Sequence, residues 1–197
     1  MLIEQFSYFT FSCLQCPLKD IVKTLSADLL ENDKQKLSYK PFMFDLYDNS
    51  PLNGGAHFEK AYFFVPATNR NICVMYSNYS DGWNTLARWL SSKLQCDCYN
   101  FKITNMDSSD SMNSFQFTQK GIDVRTVYAM KDDSKWIFYE NGIIQWFEDE
   151  GYYKRRFIKN RLNKDILLSY CAKLGFVITE AHFWESEDAI LFERIKR

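Results

Sequence analysis

Histidine, glycine and proline are scarce in this sequence, which has two His, seven Gly and four Pro among 197 residues. With only His57 and His182 present, a histidine-based acid–base or metal centre has few possible members, and neither lies in a recognised metal or nucleophile spacing. The Gly54-Gly55 pair has no phosphate-binding pattern around it, and no Walker A, dinucleotide-binding, nucleophile-elbow or H-E-x-x-H motif occurs. These absences predict a protein that is not an enzyme and uses no cofactor.

An excess of positive charge and long apolar runs are also missing. The formal net charge is −1 and the pI is near 6.1, so the clustered Lys and Arg that bind phosphate backbones are not evident in the composition and nucleic acid is an unlikely partner. Residues 1–11 have no basic region and no small-residue cleavage site, and no stretch reaches the roughly 18 uninterrupted apolar residues of a membrane span. We therefore expect a cytoplasmic chain with no membrane partner.

Six cysteines could in principle support redox chemistry or metal binding; they are Cys13, Cys16, Cys73, Cys96, Cys98 and Cys171. Without a signal peptide we predict that all six are reduced and free. Cys13-Leu-Gln-Cys16 lies between a predicted strand and helix, so a small thiol-dependent enzyme using Cys13 and Cys16 is one alternative function. Cys96-Asp-Cys98 could complete four thiolates for zinc, but the spacing does not match a usual zinc ribbon. We expect small buried side chains and no metal site.

Aromatic residues are abundant, with 17 Phe, 12 Tyr and 5 Trp making up 17% of the chain. The hydrophobic fraction of 46% and charged fraction of 25% are those of an ordinary globular protein. The length suffices for one well-cored domain, which we expect to span residues 1–197. The surplus of large rings favours strands and protein–protein interfaces.

Alternating and 3.6-residue patterns predict the elements of the N-terminal half. The predicted strands are residues 4–10, 42–46, 61–66, 72–77 and 96–104. The strands 61–66 and 72–77 are expected to be adjacent in the sheet. Pro17 fits the first turn of a helix with an apolar stripe, formed by Leu18, Ile21, Val22, Leu25 and Leu29. Asp81 is the expected N-cap of a second helix, whose apolar side is Trp83, Leu86, Ala87, Leu90 and Leu94.

The C-terminal half reads as hairpins followed by a last helix. Further predicted strands are residues 114–118, 124–130, 136–139, 143–147, 176–183 and 189–195, and Asn141-Gly142 is expected to join the strands on either side of it in a hairpin. Asn163 is expected to cap the last helix and Gly175 to end it. Together these patterns predict the α+β class, with an antiparallel-rich sheet and about three to four helices packed on it, on one face.

A basic run at residues 154–164 is the one patch that a nucleic-acid-binding module could use, because Tyr152, Tyr153 and Phe157 are interleaved with its cations. The cations are Lys154, Arg155, Arg156, Lys159, Arg161 and Lys164. Glu148-Asp149-Glu150 directly precedes them, so a charge-balanced, solvated helix explains the pattern without a ligand. We keep the nucleic-acid-binding module as a second alternative.

The C-terminal two-thirds of the chain carries a family resemblance. The residues that carry it are VRTVYAMKDDSKWIFYENG (124–142), FED (147–149), YKRR (153–156), Ile158-Lys159, Arg161-Leu162 and Tyr170 with Leu174-Gly175, preceded by the strand 72–76 and Ser80-Asp-Gly-Trp83. This pattern resembles a group of bacterial immunity proteins, which accompany polymorphic toxins delivered by type VI secretion or contact-dependent systems. The resemblance implies a cytoplasmic antitoxin of bacterial competition, which neutralises a cognate toxin domain by tight protein–protein binding.

Two less recognisable loops are the predicted docking sites for that toxin domain. Segments shared by proteins that face different toxins are better explained by a common fold, so residues 124–175 are expected to be scaffold first. The loops 45–57 and 106–112 combine acids with a ring or thioether, and the predicted partner-binding residues are Asp45, Tyr47, Asp48, Met106, Asp107 and Asp110. For a basic nuclease toxin, the acids would steer association and mimic phosphate, while Tyr47 or Met106 supplies a desolvated anchor.

Overall fold

A computed structural model describes residues 8–30, 34–43, 59–105, 111–186 and 188–195, and nine strands within them form one sheet. The strands are β1 (Tyr8–Leu14), β2 (Gln35–Tyr39), β3 (Lys60–Phe64), β4 (Cys73–Ser77), β5 (Asp97–Thr104), β6 (Met112–Gln119), β7 (Ile122–Asp132), β8 (Lys135–Gly142) and β9 (Ala189–Arg194). Their order is β2-β9-β3-β4-β1-β5-β6-β7-β8, and every neighbouring pair is antiparallel. In this described sheet, β2 and β8 are the edges.

Four α-helices in the same residues complete an α+β fold, which confirms the predicted class. They are α1 (Leu18–Asp28), α2 (Asn84–Leu94), α3 (Glu150–Tyr153) and α4 (Lys164–Lys173), with single 3-10 turns at Ile158–Asn160 and Ala181–Phe183. The prediction that the helices share one face is wrong, because α1 and α2 pack in one hydrophobic cluster and α3 and α4 in another. No helix among the described residues is long and apolar enough to cross a membrane.

The two clusters lie on opposite faces of the sheet because successive strand side chains point in opposite directions. On β1, Phe9 and Phe11 belong to the α3–α4 cluster, whereas Leu14 belongs to the α1–α2 cluster. Trp184 packs edge-on against Phe9 and Phe11, at centroid distances of 5.2 Å and 5.9 Å. Its indole N–H donates to the Ile178 carbonyl at 2.8 Å, so the ring is buried with its polar group satisfied.

The predicted ends of the helices are largely confirmed. The Asn163 side chain accepts a hydrogen bond from the Ile166 N–H at 3.0 Å and caps α4. Gly175 follows α4 with φ +78°, in the left-handed region that a glycine adopts readily. The prediction that Asp81 is the N-cap of the second helix is wrong, because Trp83 is the N-cap of α2. Asp81 lies two residues earlier and accepts a hydrogen bond from the Trp83 N–H at 2.9 Å.

Most of the predicted strands are present. The predictions at residues 61–66, 72–77, 96–104, 114–118, 124–130, 136–139 and 189–195 correspond to β3 through β9 and are confirmed. Of the strand predicted at residues 4–10, residues 8–10 belong to β1, which continues to Leu14, and residues 4–7 lie outside the described ranges. The sequence reading missed β2, and of the strand predicted at 42–46, residues 42 and 43 are not in a strand while 44–46 lie beyond the described ranges.

The hairpin predicted at Asn141-Gly142 is wrong. Both residues belong to β8, where Asn141 pairs with Thr126 and Gly142 pairs with Arg125. Residues 143–147 form no strand. The glycine is required by a close approach of two strands, because a Cβ at Gly142 would lie 1.9 Å from the Val124 carbonyl oxygen.

The strand predicted at residues 176–183 is also wrong. It was expected to pair with the strand 189–195, which instead pairs with β2 and β3. Residues 176–183 form turns and the 3-10 turn Ala181–Phe183, while β9 pairs with β2 and β3. Phe176, Ile178 and Phe183 all enter the same hydrophobic cluster. The three apolar side chains are therefore buried on one side of an irregular segment, and their spacing does not indicate a strand.

Candidate protein-binding surface

The six predicted partner-binding residues, Asp45, Tyr47, Asp48, Met106, Asp107 and Asp110, lie outside the described residues. The structure does define the chain on either side of residues 106–110. The hydroxyl groups of Thr104 and Ser111 lie 3.1 Å apart and are buried, and the Met112 N–H donates to the Thr104 hydroxyl at 2.8 Å. These hydrogen bonds hold together the described ends of β5 and β6 on either side of residues 106–110.

A buried ion pair holds the end of the sheet at β7 and β8. The Arg125 guanidinium donates from Nε to Glu148 Oε1 at 3.0 Å and from Nη2 to Glu148 Oε2 at 2.9 Å. The Arg125 side chain is 2% exposed and that of Glu148 is completely buried. The guanidinium also donates to Glu140 Oε2 at 2.7 Å and to the Gly142 carbonyl at 3.2 Å. These bonds stabilise the charges and raise the pKa of Arg125 although its burial alone would lower it.

Two tyrosines connect this ion pair to the helices. The Tyr153 hydroxyl donates to Glu148 Oε2 at 2.7 Å, and the Tyr170 hydroxyl donates to the Tyr153 oxygen at 3.2 Å. The Asp149 N–H in turn donates to the Tyr170 oxygen at 3.1 Å. Burial, together with the hydrogen bond to Glu148, raises the pKa of Tyr153, so this hydroxyl stays protonated. The polar chain fixes β7, α3 and α4 relative to one another.

Residues 143–146, which we call the apolar turn, follow the end of β8. Hydrogen bonds to β7 and to Glu148 hold their backbone in place. The Ile143 N–H donates to the Val124 carbonyl at 3.2 Å, and the Gln145 N–H donates to Glu148 Oε1 at 2.7 Å. The Gln145 side-chain amide donates to the Ile143 carbonyl at 2.7 Å. Ile143 and Trp146 are nevertheless 74% and 73% exposed, and Ile144 is also exposed. Large apolar side chains are therefore presented to solvent on a well-bonded backbone.

A second accessible surface lies on the α1–α2 side of the sheet, where α2 leaves part of strands β5 to β8 uncovered among the described residues. We call it the open face; its residues are Asn100, Lys102, Met112, Ser114, Gln116, Thr126, Tyr128, Met130, Ile137 and Tyr139. Along β6 and β7, these partly exposed residues alternate with buried residues that point to the opposite face. This alternation is expected where a sheet is covered on one side only. A cavity of about 310 Å³ lies where this face meets the start of α2.

Uncharged polar groups and rings make several contacts of the open face. The Ser12 hydroxyl donates to Asn100 Oδ1 at 2.5 Å, and the Asn84 amide donates to Gln116 Oε1 at 2.6 Å. Farther along the sheet, the rings of Tyr128 and Tyr139 stack at a centroid distance of 5.0 Å. Such a surface offers hydrogen bonds and flat apolar area, which are typical contributions to a protein–protein interface.

The structure separates the two cysteines of the C-x-x-C motif. Cys13 belongs to the α3–α4 cluster and Cys16 to the α1–α2 cluster, so they occupy opposite faces of the sheet. All six cysteines fall within the described residues, and all are free and buried. Among these residues no group of three or more His, Cys, Asp or Glu side chains could hold a metal ion.

The cations of the basic run are partly used inside the protein. Arg155 lies over the Tyr152 ring at 4.3 Å and donates to the Asn160 carbonyl at 3.1 Å. Arg161 donates to the Arg155 carbonyl at 2.9 Å. Lys154 pairs with Glu150 one helical turn away at 2.9 Å, on the surface. These contacts support a structural role for several of the cations in the 154–164 run.

Of the two histidines, the structure describes His182, whose Nδ1 lies 2.5 Å from Glu185 Oε2 on the surface; His57 falls in an undescribed segment. Sequence reasoning missed the apolar turn, because the Asn141-Gly142 pair before it indicated a hairpin whose second strand would be residues 143–147. A Trp beside two Ile next to a glycine was the available signal, but it does not distinguish a buried strand from an exposed turn.

Comparison with known protein families, curated proteins and solved structures finds no match for the chain.

Proposed function

We propose that the chain is a cytoplasmic immunity protein, which neutralises a cognate bacterial toxin domain by tight protein–protein binding with the apolar turn in the interface. The observation that carries the proposal is the exposure of Ile143, Ile144 and Trp146 on a turn that the buried Arg125–Glu148 pair holds in place. Exposed apolar clusters of this kind mark interaction sites, and Trp is among the residues enriched at binding hot spots.

The fixed backbone of the apolar turn favours affinity. Ordering a mobile segment on binding costs conformational entropy, which reduces the net binding free energy. Here Gln145 is bonded both to Glu148 and to the Ile143 carbonyl before any partner arrives. A partner that buries Trp146 and Ile143 in an apolar pocket therefore gains the hydrophobic free energy with a small ordering penalty.

The resemblance to immunity proteins fits this division between support and contact. The buried network of Arg125, Glu148, Tyr153 and Tyr170 belongs to the motifs that carry the resemblance. So does Glu140, which pairs with Arg125 from the surface. Residues 143–146 lie between two of those motifs and belong to neither. A framework shared with the family would then display a turn that is particular to this chain, as expected for proteins whose partners differ.

The open face extends the proposed interface along the same edge of the sheet. Ile137 and Tyr139 lie on the open-face side of β8, and β8 leads directly into the apolar turn. Aromatic and apolar groups at the centre, with amides and hydroxyl groups such as those of Gln116 and Thr126 around them, match the usual anatomy of an interface.

The proposal is tested by isolating the partner and comparing two exposed aromatic residues. Wild-type protein, Trp146→Ala and Tyr39→Ala are expressed with an affinity tag in the native host, and the co-purifying proteins are quantified. Tyr39, 83% exposed on the other edge strand β2, is the matched control. We expect one stoichiometric protein with wild type and Tyr39→Ala, and at least about tenfold less of it with Trp146→Ala.

The captured protein must also behave as a toxin. Expressed alone in a bacterial host, it should arrest growth, and co-expression of the wild-type chain should restore growth. Trp146→Ala should protect less well than Tyr39→Ala at equal expression. A captured protein that does not affect growth would contradict the immunity function, and equal protection by both variants would remove the apolar turn from the interface.

A further inference from the structure

Cys16 and Cys96 face each other across two neighbouring antiparallel strands. The register of β1 and β5 pairs Leu14 with Cys98. The Gln15 N–H donates to the Asp97 carbonyl at 2.9 Å, so the pairing continues beyond the last residue of β1. One further step in the same register places Cys16, just after β1, opposite Cys96, just before β5.

This position suits a disulfide bond. A cross-strand pair next to a hydrogen-bonded pair has its Cα atoms about 4.5 Å apart, and disulfides join Cα atoms separated by roughly 4.4–6.8 Å. Both side chains belong to the α1–α2 cluster and therefore lie on the same face of the sheet.

The pair also differs chemically from the other cysteines. Cys16 and Cys96 are each 8% exposed, whereas the remaining four, Cys13, Cys73, Cys98 and Cys171, are completely buried. The interaction between the two thiols lowers the pKa of Cys96 and raises the pKa of Cys16. The thiolate is the nucleophilic form of cysteine, so Cys96 is the residue of the pair that reacts first.

We propose that Cys16 and Cys96 form a redox modification site, which a peroxide converts into a cross-strand disulfide. The Cys96 thiolate attacks one peroxide oxygen, the O–O bond breaks, hydroxide leaves, and Cys96 becomes a sulfenic acid. The Cys16 sulfur then attacks the Cys96 sulfur, the S–O bond breaks, and water leaves with the Cys16 proton. The peroxide accepts two electrons and the two sulfurs lose them. This inference does not depend on the proposed function.

The disulfide would join the chain just before α1 to the chain just after α2. Because it closes a long loop, it reduces the conformational freedom of the unfolded chain and stabilises the fold. We expect the oxidised protein to melt about 5 to 10 °C above the reduced protein.

The test treats the folded, reduced protein with hydrogen peroxide and measures its intact mass and peptide map. Wild type should lose the mass of two hydrogens and yield one crosslinked peptide pair containing Cys16 and Cys96. Cys16→Ser should instead accumulate a sulfenic acid at Cys96, which a 1,3-dione traps. Cys96→Ser should leave Cys16 unmodified at the same peroxide concentration.

Cys73→Ser is the matched control, because Cys73 lies in the same cluster but is completely buried. Provided its circular dichroism matches wild type, it should still lose two hydrogen masses and join Cys16 to Cys96. Formation of a different crosslink would overturn the proposal. So would oxygen addition without a crosslink in wild type, or equal trapping of Cys96 in wild type and in Cys16→Ser.

Discussion

Arg125 and Glu148 form a two-point ion pair between β7 and the segment that precedes α3, with both side chains almost completely removed from solvent. Buried charges are stable only when they are paired and hydrogen-bonded, because the interior solvates them poorly. Glu148 meets this condition by also accepting from the Tyr153 hydroxyl and from the Gln145 N–H. One carboxylate thus stabilises a strand, a helix and the exposed apolar turn together.

Glu148→Gln should therefore destabilise the protein strongly. The substitution keeps the shape of the side chain but leaves the buried Arg125 guanidinium with one carboxylate partner, Glu140. We expect a loss of about 3 kcal/mol in the free energy of unfolding, measured by urea denaturation. Glu150→Gln is the control, since Glu150 pairs with Lys154 on the surface, and its unfolding midpoint should stay at the wild-type value. Equal midpoints for the two variants would show that the buried pair does not stabilise the fold.

Gly142 and Gly175 test whether a glycine serves backbone conformation or close packing. Both have positive φ, but a Cβ would lie 1.9 Å from the Val124 carbonyl oxygen at Gly142 and only in ordinary contact with Asn69 at Gly175. We expect Gly142→Ala to cost at least about 3 kcal/mol, because the backbone of β7 must move. Gly175→Ala should cost about 1 kcal/mol, for the left-handed conformation alone. Thermal or urea unfolding of both variants measures the difference, and equal losses would argue against the close approach.

The error at Asn141-Gly142 shows what the local sequence could and could not predict. An Asn-Gly pair between apolar segments favours a two-residue hairpin turn, but here Gly142 is needed because β7 lies against it. The hairpin between β6 and β7 turns at Lys120-Gly121, where both residues have positive φ. A lysine in that position is not a strong turn signal, so the actual turn was not recognised. The contact between β7 and Gly142 explains the glycine, and the local sequence does not show that contact.

The helices and most strands were predictable because their signals are local. Asn163 caps α4 through a hydrogen bond to a residue three positions away, and the apolar stripes of α1 and α2 follow directly from helical spacing. The surface of the candidate site was not predictable in the same way. Arg125 and Glu148 are 23 residues apart, and nothing in their immediate sequence indicates that two charged side chains are buried together, so the support of the apolar turn becomes visible only in three dimensions.

Stability should fall at alkaline pH in a way that depends on Tyr99. Burial, reinforced by the charge of Asp97, raises the pKa of Tyr99 from 10.0 to about 12. Below pH 10 the hydroxyl is protonated in both the folded and the unfolded protein, and its contribution to stability is fully present. Between pH 10 and pH 12 the unfolded chain releases the proton first, so the free energy of unfolding falls.

Tyr99→Phe should make that decline shallower, because the titrating group is gone while the ring is retained. The measurement is urea unfolding of wild type and variant at several pH values across the same interval. Tyr139→Phe, on the open face, is the control and should change the slope less. A Tyr99→Phe protein with the wild-type slope would show that Tyr99 does not titrate differently in the folded and unfolded states.

The last prediction separates the acidic loops from the apolar turn as docking sites, and it rests on the proposed function. Charge reversal at Asp45, Asp48, Asp107 and Asp110 should lower the association rate for a basic toxin domain, because acids that face a basic partner act by long-range steering. Trp146→Ala should instead raise the dissociation rate, because it removes buried contact area at the interface.

Surface plasmon resonance with the toxin captured from the native host distinguishes the two effects. The association rates of wild type and the charge-reversed protein should differ less at high salt than at low salt, because salt screens the acids. The effect of Trp146→Ala on the dissociation rate should persist at both salt concentrations. Because steering and anchoring act on different rate constants, both surfaces can contribute to one interface. An unaltered association rate together with full protection in co-expression would place the interface away from the four acids and leave the apolar turn as the docking site.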